Sequence, residues 1–121
     1  MTRLRREEHS VEFRTVEDSG VLVIGVSGRL DSTTSPTLEK EVRRQLEAGH
    51  ARIVFDLAAL QYISSAGLRV FIMAARAIHG KGAVALAAPT PNVQQVLDIA
   101  GVTAFAKIYS TATEAVQALK P

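Results

Sequence analysis

The sequence has no cysteine and no tryptophan, and aromatic residues make up only 5% of its 121 residues. The absence of cysteine excludes disulfides, thiolate catalysis and Cys-ligated zinc. The scarcity of aromatic side chains argues against stacking platforms for nucleic-acid bases. No apolar run approaches the roughly 20 residues that span a bilayer, so direct membrane insertion is not expected. These absences favour a protein of the cytoplasm.

Charge and motif content also argue against nucleic acid and catalysis. The net charge is only +2, from 14 basic and 12 acidic residues, which is too balanced to indicate a nucleic-acid partner. The three histidines, His9, His50 and His79, stand in no context that suggests a catalytic base. Ser65 lacks the Gly-x-Ser-x-Gly elbow of hydrolases. Neither a metal-ligand spacing nor a phosphate-binding loop is present, so we expect no metal, no cofactor and no enzymatic activity.

Length and composition predict one folded domain. Hydrophobic residues make up 47% of the chain and charged residues 21%, as in ordinary globular domains. The charged segment 1–9 is predicted to be a flexible arm. Residues 10–121 are predicted to form the domain.

Alternating apolar runs and amphipathic segments predict an α/β fold. The predicted strands are Val11–Thr15, Val21–Val26, Arg52–Leu57, Ala83–Ala88 and Phe105–Tyr109. Helices follow the second, third, fourth and fifth strands, and the predicted N-terminal caps of three of them are Ser35, Asn92 and Thr111. This order predicts a mixed, mostly parallel β-sheet with an antiparallel edge hairpin, packed with about four helices.

Two polar segments, Gly28–Pro36 and Tyr62–Gly67, connect a predicted strand to a predicted helix. Functional groups of such folds gather at the carboxyl ends of the strands. Ser64 and Ser65 lie where the helix begins and where backbone N–H groups have no partner within the helix. One interpretation is that a serine simply caps the helix. The other is that a phosphoserine is stabilised there by the helix dipole and the N–H groups.

Several motifs in order match a known family. They are Gly28–Asp31, Asp56–Leu57, Tyr62–Leu68 and Leu97–Val102. In this combination the chain resembles the STAS-domain anti-sigma-factor antagonists of bacteria, over about residues 10–119. The resemblance implies the STAS fold for the whole predicted domain. It also implies partner switching: the unmodified antagonist binds an anti-sigma factor with serine kinase activity, which releases a sigma factor, and phosphorylation then separates the pair.

The resemblance also implies which residues form the site. It places the phosphorylated hydroxyl on Ser65, with Asp31 of the first loop beside it. Ser64 stands where many members have Asp, and Ala66 where Ser or Thr is usual, which leaves Ser64 as a second candidate acceptor. For Asp31 the alternative is an acidic turn residue that accepts local N–H bonds. The predicted partner-binding residues are Asp31, Ser32, Ser64, Ser65, Ala66, Gly67, Arg69, Met73 and Arg76.

The second predicted helix carries a possible docking face. Arg69, Met73 and Arg76 are spaced i, i+4, i+7, away from the core-facing stripe. Arg and Met are enriched at interfaces, which favours docking, and the alternative is a solvated helix face. For the whole chain, the alternative function is a non-switching STAS scaffold, or the soluble subunit of a membrane complex that transports lipids or anions. We expect a monomer or a weak dimer.

Overall fold

The structure is a computed structural model that describes residues 11–121, so the predicted arm, residues 1–9, lies outside the described residues. The described elements are β1 (Val11–Asp18), β2 (Val21–Leu30), α1 (Ser35–Glu47), β3 (Arg52–Asp56), β4 (Leu60–Ile63), α2 (Ser65–Ala77), β5 (Ala83–Ala87), α3 (Pro91–Ala100), a 3₁₀ turn (Val102–Ala104), β6 (Lys107–Tyr109) and α4 (Ala112–Leu119). Within this range no helix is long and apolar enough to cross a bilayer.

The strands form one mixed sheet, as predicted. Its order is β1-β2-β3-β5-β6, and β4 pairs with β2 beyond the end of β3. The β1–β2 pair is antiparallel, and the other pairs are parallel. Ser19 and Gly20 join β1 to β2 with positive φ angles of 56° and 82°. Such angles suit a two-residue hairpin turn whose twist matches that of the strands.

Helices cover both faces of the sheet. On one face α1, α2 and α3 bury the larger core, in which the rings of Phe55 and Phe71 lie 4.7 Å apart between centroids. On the other face α4 packs a smaller cluster, to which α4 contributes Val116 and the sheet contributes Val54 and Ala85. Burial on both faces explains why the central strands are continuous apolar runs and not alternating ones.

The predicted cap of α1 is wrong. Ser35 is the first residue of the helix and is buried, and Thr34 occupies the cap position. The loop N–H groups of Thr33 and Thr34 bond instead to the side chain of Asp31. A cap at position 35 would serve the N–H of Thr37 or Leu38, but the N–H of Thr37 donates to the carbonyl of Thr34 at 3.1 Å.

The predicted cap of α3 is also wrong, whereas that of α4 is confirmed. The third helix begins at Pro91 with Thr90 in the cap position, so Asn92 lies inside the first turn. Proline is favoured at the first helical position, which places the boundary two residues earlier than predicted. At α4, the Oγ1 of Thr111 accepts a hydrogen bond from the N–H of Glu114 at 3.1 Å.

The strand β4 was not predicted. It has only four residues, and its side chains are in turn buried, exposed, exposed and buried, so it lacks a period of two. Its pairing with β2 also contains a register shift between Gly28 and Arg29. This short strand decides how the two polar segments meet.

Candidate functional site

The two predicted polar segments follow neighbouring strands. In the β2–β4 pair, Leu30 lies opposite Ile63, and the N–H of Ser64 donates to the carbonyl of Leu30 at 2.8 Å. Asp31 and Ser64 are therefore the next residues on two adjacent parallel strands, whose backbones lie about 4.8 Å apart. The sheet brings together the two segments that the sequence placed far apart.

Asp31 organises the first of these segments. Its Oδ1 accepts hydrogen bonds from the hydroxyl of Thr33 at 2.7 Å, the N–H of Thr33 at 2.9 Å and the N–H of Thr34 at 3.1 Å. The bonds from Thr33, its hydroxyl first, lower the pKa of Asp31 from 3.8 to about 2, and the bonds from Thr34 add to the effect. This geometry fits the turn-residue interpretation of Asp31. Its bonds to the described residues all use Oδ1, so Oδ2 can accept from a partner while the loop stays ordered.

Asp31→Asn should remove a pH-dependent part of the stability. Because the folded pKa of about 2 lies below the unfolded 3.8, the ionised carboxylate stabilises the fold above pH 3.8, and this contribution is lost as the pH falls towards 2. The gap between the urea midpoints of wild type and Asp31→Asn should therefore be largest at neutral pH and shrink as the pH falls from about 4 towards 2. Asp98→Asn, on the exposed side of α3, is the control. A gap that is constant with pH would contradict the assignment.

The two serines of the second segment differ in accessibility. Ser65 is the first residue of α2 and is exposed. Ser64 occupies the cap position in an extended conformation, but its side chain makes no cap hydrogen bond and its Oγ is buried without a partner among the described residues. The structure thus gives no support to a serine cap at this helix. A kinase could reach the hydroxyl of Ser65 without unfolding the chain, and this favours Ser65 over Ser64 as the acceptor.

Gly67 holds the start of α2 close to the sheet. It is buried, and a Cβ atom at this position would lie 2.9 Å from the Cβ of Leu30 and 2.9 Å from the Cγ1 of Ile63. The first turn of the helix therefore rests directly on the paired ends of β2 and β4. This contact positions Ser65 and the half-buried Ala66 relative to the Asp31 loop, in which Ser32 is exposed.

The predicted docking face of α2 is only partly a free surface. Arg69 is exposed, but Met73 is half-buried against the core, and the Arg76 guanidinium lies 5.4 Å from the ring centroid of Phe105. Arg69 is one helical turn from Ser65, whereas Arg76 is about 16 Å further along the helix axis than Ser65. Of the two arginines, Arg69 is the one beside the candidate phosphorylation site.

Two side chains that were not predicted as site residues border this region. The guanidinium of Arg29 lies 4.3 Å from the ring centroid of Tyr62, and the two residues are opposite each other on β2 and β4. Tyr62 is 40% exposed. Both residues directly precede the pair Leu30 and Ile63, so they lie at the same end of the sheet as Asp31 and Ser64. Because this contact depends on the unpredicted strand β4, no local sequence pattern indicates it.

The candidate site is a surface and not a pocket. A cavity of about 330 Å³ lies on the sheet face that carries α4, and its lining includes Arg14, Gly25 and Asp56 but no predicted site residue. The exposed groups of the site, among them Ser32, Ser65 and Arg69, stand on the rim formed by loop and helix ends. Such a surface is suited to contact with another protein.

Comparisons with known proteins give one consistent family. The sequence model of the STAS domain matches residues 12–115. BtrV of Bordetella bronchiseptica, named as a candidate anti-sigma factor antagonist, is 33% identical over 102 residues, covering 84% of this chain and 88% of that protein. The anti-sigma F factor antagonist of Paenibacillus polymyxa is also 33% identical, over 107 residues, covering 84% of this chain and 88% of that protein.

Solved structures show the same fold. An anti-sigma factor antagonist from Mycobacterium paratuberculosis superimposes with a TM-score of 0.87 at 23% identity, covering 93% of this chain and 97% of that one. The Bacillus cell fate determinant SpoIIAA in its phosphorylated form superimposes with a TM-score of 0.69 at 19% identity, covering 88% of this chain and 98% of that one.

Proposed function

The chain belongs to the STAS-domain family, and on that premise we propose that it is an anti-sigma factor antagonist of the cytoplasm, a regulator without catalytic activity. The relatives that match at 33% identity carry that name, and each match covers 84% of this chain. The partner is then an anti-sigma factor, and binding to the antagonist releases the sigma factor that it held.

We further propose that the partner is itself a serine kinase and that it phosphorylates Ser65. One observation carries this proposal: Ser65 presents an exposed hydroxyl at the first residue of α2, directly beside the strand end that leads into Asp31. The docking surface consists of the predicted residues around that hydroxyl that reach the surface, Asp31, Ser32, Ala66 and Arg69, with Met73 and Arg76 at its far end. The predicted residues Ser64 and Gly67 support this surface from beneath.

The switch acts through surface charge. Phosphorylation adds roughly −1.5 to −2 charges to a surface that has to dock closely. The added group lies at a helix N-terminus, where the helix dipole and free N–H groups favour an anion by about 0.3–1 kcal/mol. The fold should therefore tolerate the modification, while the partner meets a dianion in the middle of its contact surface.

Arg69 should respond to phosphorylation of Ser65. The two residues are i and i+4 on α2, with the anion on the N-terminal side, which is the favourable orientation for a helical ion pair. In the phosphorylated chain the ³¹P titration midpoint, near pH 6 for a free phosphoserine, should be about 0.2–0.4 pH unit lower in wild type than in Arg69→Gln.

The matched control is Arg76→Gln, because Arg76 lies about three helical turns from Ser65. This substitution should leave the ³¹P midpoint at its wild-type value. Chain carrying phosphoserine at position 65 can be made by semisynthesis, so the measurement needs no kinase. Equal midpoints in wild type and Arg69→Gln would show that Arg69 takes no part in the modified state.

Mass spectrometry tests the kinase step directly. The probe is an anti-sigma factor of the serine-kinase type from the same organism, incubated with the chain and ATP. We expect a single phosphate, mapped to Ser65, in wild type and in Ser64→Ala, and none in Ser65→Ala. Modification of Ser64 or of neither serine would reject the proposed switch.

The alternative of a non-switching scaffold, or of a subunit of a membrane complex that transports lipids or anions, requires Ser65 to be structural only. Since no side-chain cap bond is formed at α2, Ser65→Ala should change the free energy of unfolding by less than about 0.5 kcal/mol. The alternative would be favoured if Ser65→Ala lowered the free energy of unfolding by as much as the loss of a helix cap does. It would also require that the chain capture a membrane ATPase and not a kinase.

A further inference from the structure

The outer edge of β1 is a long strand edge that the described residues leave open. β1 lies at the end of the sheet order and pairs with β2 through eight residues, Val11 to Asp18, in one continuous register. Natural edge strands are usually shortened, bulged, charged or interrupted by proline. β1 is not shortened, bulged or interrupted by proline, and its charges are of both signs, so its second row of backbone N–H and C=O groups can pair with a strand of complementary charge.

An apolar side chain marks the centre of the exposed part of this edge. Val16 is 53% exposed and lies opposite the half-buried Val23 of β2. On the same face of β1, Arg14 and Asp18 stand two residues to either side of Val16, and both are exposed. Because an apolar residue stands between two opposite charges, this segment is complementary to a second, antiparallel copy of itself.

We propose that two copies of this chain associate by antiparallel pairing of their β1 strands about Val16. A two-fold axis perpendicular to the sheet keeps each side chain on its own face. With the axis at Val16, the two Val16 side chains meet, and Arg14 of each copy lies opposite Asp18 of the other. On the opposite face Thr15 lies opposite Glu17. The two Arg14–Asp18 ion pairs are cross-strand neighbours, with about 4.5–5.5 Å between their Cβ atoms.

Two neighbouring registers lack this match. An axis at Arg14 places the two guanidinium groups opposite each other, and an axis at Thr15 places Glu12 opposite Asp18. Like charges directly opposite each other are destabilising across strands. The charges on this edge therefore disfavour the axes at Arg14 and Thr15. An axis at Phe13 also pairs opposite charges, Glu12 with Arg14, but it is centred on a half-buried side chain and not on the exposed Val16.

The dimer leaves the docking surface free. Val11 lies opposite Gly28, towards the Leu30 end of β2, whereas Val16 lies opposite Val23, nearer the other end. Pairing about Val16 therefore places the two Ser65 regions at opposite ends of one continuous sheet. Only five residues of each strand pair in this register, and such small interfaces are weak. We thus expect the dimer at high protein concentration. This expectation does not depend on whether the partner at the docking surface is an anti-sigma factor.

Sedimentation equilibrium tests the pairing. Between about 10 µM and 1 mM, a range suited to a small and weak interface, the wild-type mass should rise from 13.0 kDa towards twice that value. Arg14→Asp alone and Asp18→Arg alone should each stay monomeric, because each sets like charges opposite each other. An equal mixture of the two variants should associate again, because the heterodimer restores both ion pairs.

Folding controls accompany these variants. In their own chain Arg14 and Asp18 lie opposite Gly25 and Val21, neither of which is charged, so both variants should keep the wild-type circular dichroism spectrum. The proposal is wrong if the wild type remains monomeric at 1 mM, or if the mixed variants fail to associate. It is also wrong if Glu12→Arg, and not Asp18→Arg, restores association of Arg14→Asp, because that result places the axis at Phe13.

Discussion

Phosphorylation of Ser65 should weaken binding to the anti-sigma factor by about 30-fold or more. The estimate follows from the cost of leaving a desolvated charge without a partner in an interface, about 2–5 kcal/mol. Ser65→Asp should act in the same direction but less strongly, because it carries one negative charge and no third oxygen. Isothermal titration calorimetry of wild type, semisynthetic phosphoserine chain and Ser65→Asp measures the series.

Two variants control for this series. Ser65→Ala cannot be modified, so it should bind with wild-type affinity and stay bound when ATP is added. Ser64→Asp places a charge one residue earlier, in the cap position of α2, where aspartate is a favoured residue, so it should be at least as stable as the wild type. Wild-type affinity for the chain carrying phosphoserine at position 65 would refute the charge mechanism, whatever the kinase does.

Gly67→Ala should disturb both the fold and the site. The added methyl group would lie 2.9 Å from the Cβ of Leu30 and from the Cγ1 of Ile63, and the Leu30 atom is fixed to the backbone. Overpacking of this kind costs about 1–3 kcal/mol, of which a better helix former returns up to about 1 kcal/mol. We expect a net loss of about 1–2 kcal/mol in urea unfolding, and roughly tenfold weaker binding, because the first turn of α2 has to move away from the sheet.

The matched substitution is Gly25→Ala. Gly25 lies within β2 without a positive φ, and a Cβ there would approach only the carbonyl of Arg14, at 3.8 Å. This variant should be as stable as the wild type or slightly more stable, because alanine loses less backbone entropy than glycine. Equal effects of the two substitutions on stability and binding would mean that the α2–sheet contact does not position the site.

Much of the fold was predictable because the signals are local. The apolar run Val21–Val26 indicated a buried strand, and β2 contains this run. Thr111 followed by Glu114 indicated the start of α4. Each of these features is decided by residues that are close in the sequence.

The features that the sequence analysis missed or misassigned are not decided by a single local pattern. The four-residue β4 exists because it pairs with β2, and the Arg29–Tyr62 contact exists because β4 exists. The cap of α1 was misassigned because the helix begins one residue earlier, with Thr34 in the cap position and the N–H of Thr37 bonded to the carbonyl of Thr34. Helix propensities over a short stretch of sequence do not describe which of several neighbouring polar residues takes the cap position.

The candidate site was predictable in position but not in detail. Family resemblance pointed to Ser65 and Asp31, and the sheet brings their two segments together. Which of two adjacent serines is exposed depends on the direction in which α2 leaves the sheet, and two identical side chains in a row give no indication of that. The roles of both serines remain predictions that the phosphate mapping will decide.

The hydrogen bond between Ser64 and Leu30 and the close packing of Gly67 on the sheet have a consequence for how long each regulatory state lasts. A recognition surface that is already held in place needs no rearrangement before a partner binds or a phosphate arrives. Under the proposed switch, the duration of each regulatory state should then be set by how fast phosphate is added to and removed from Ser65, and not by motion within the chain. Unmodified and phosphorylated crystals should superimpose along the backbone, and the difference between on and off should be confined to one side chain.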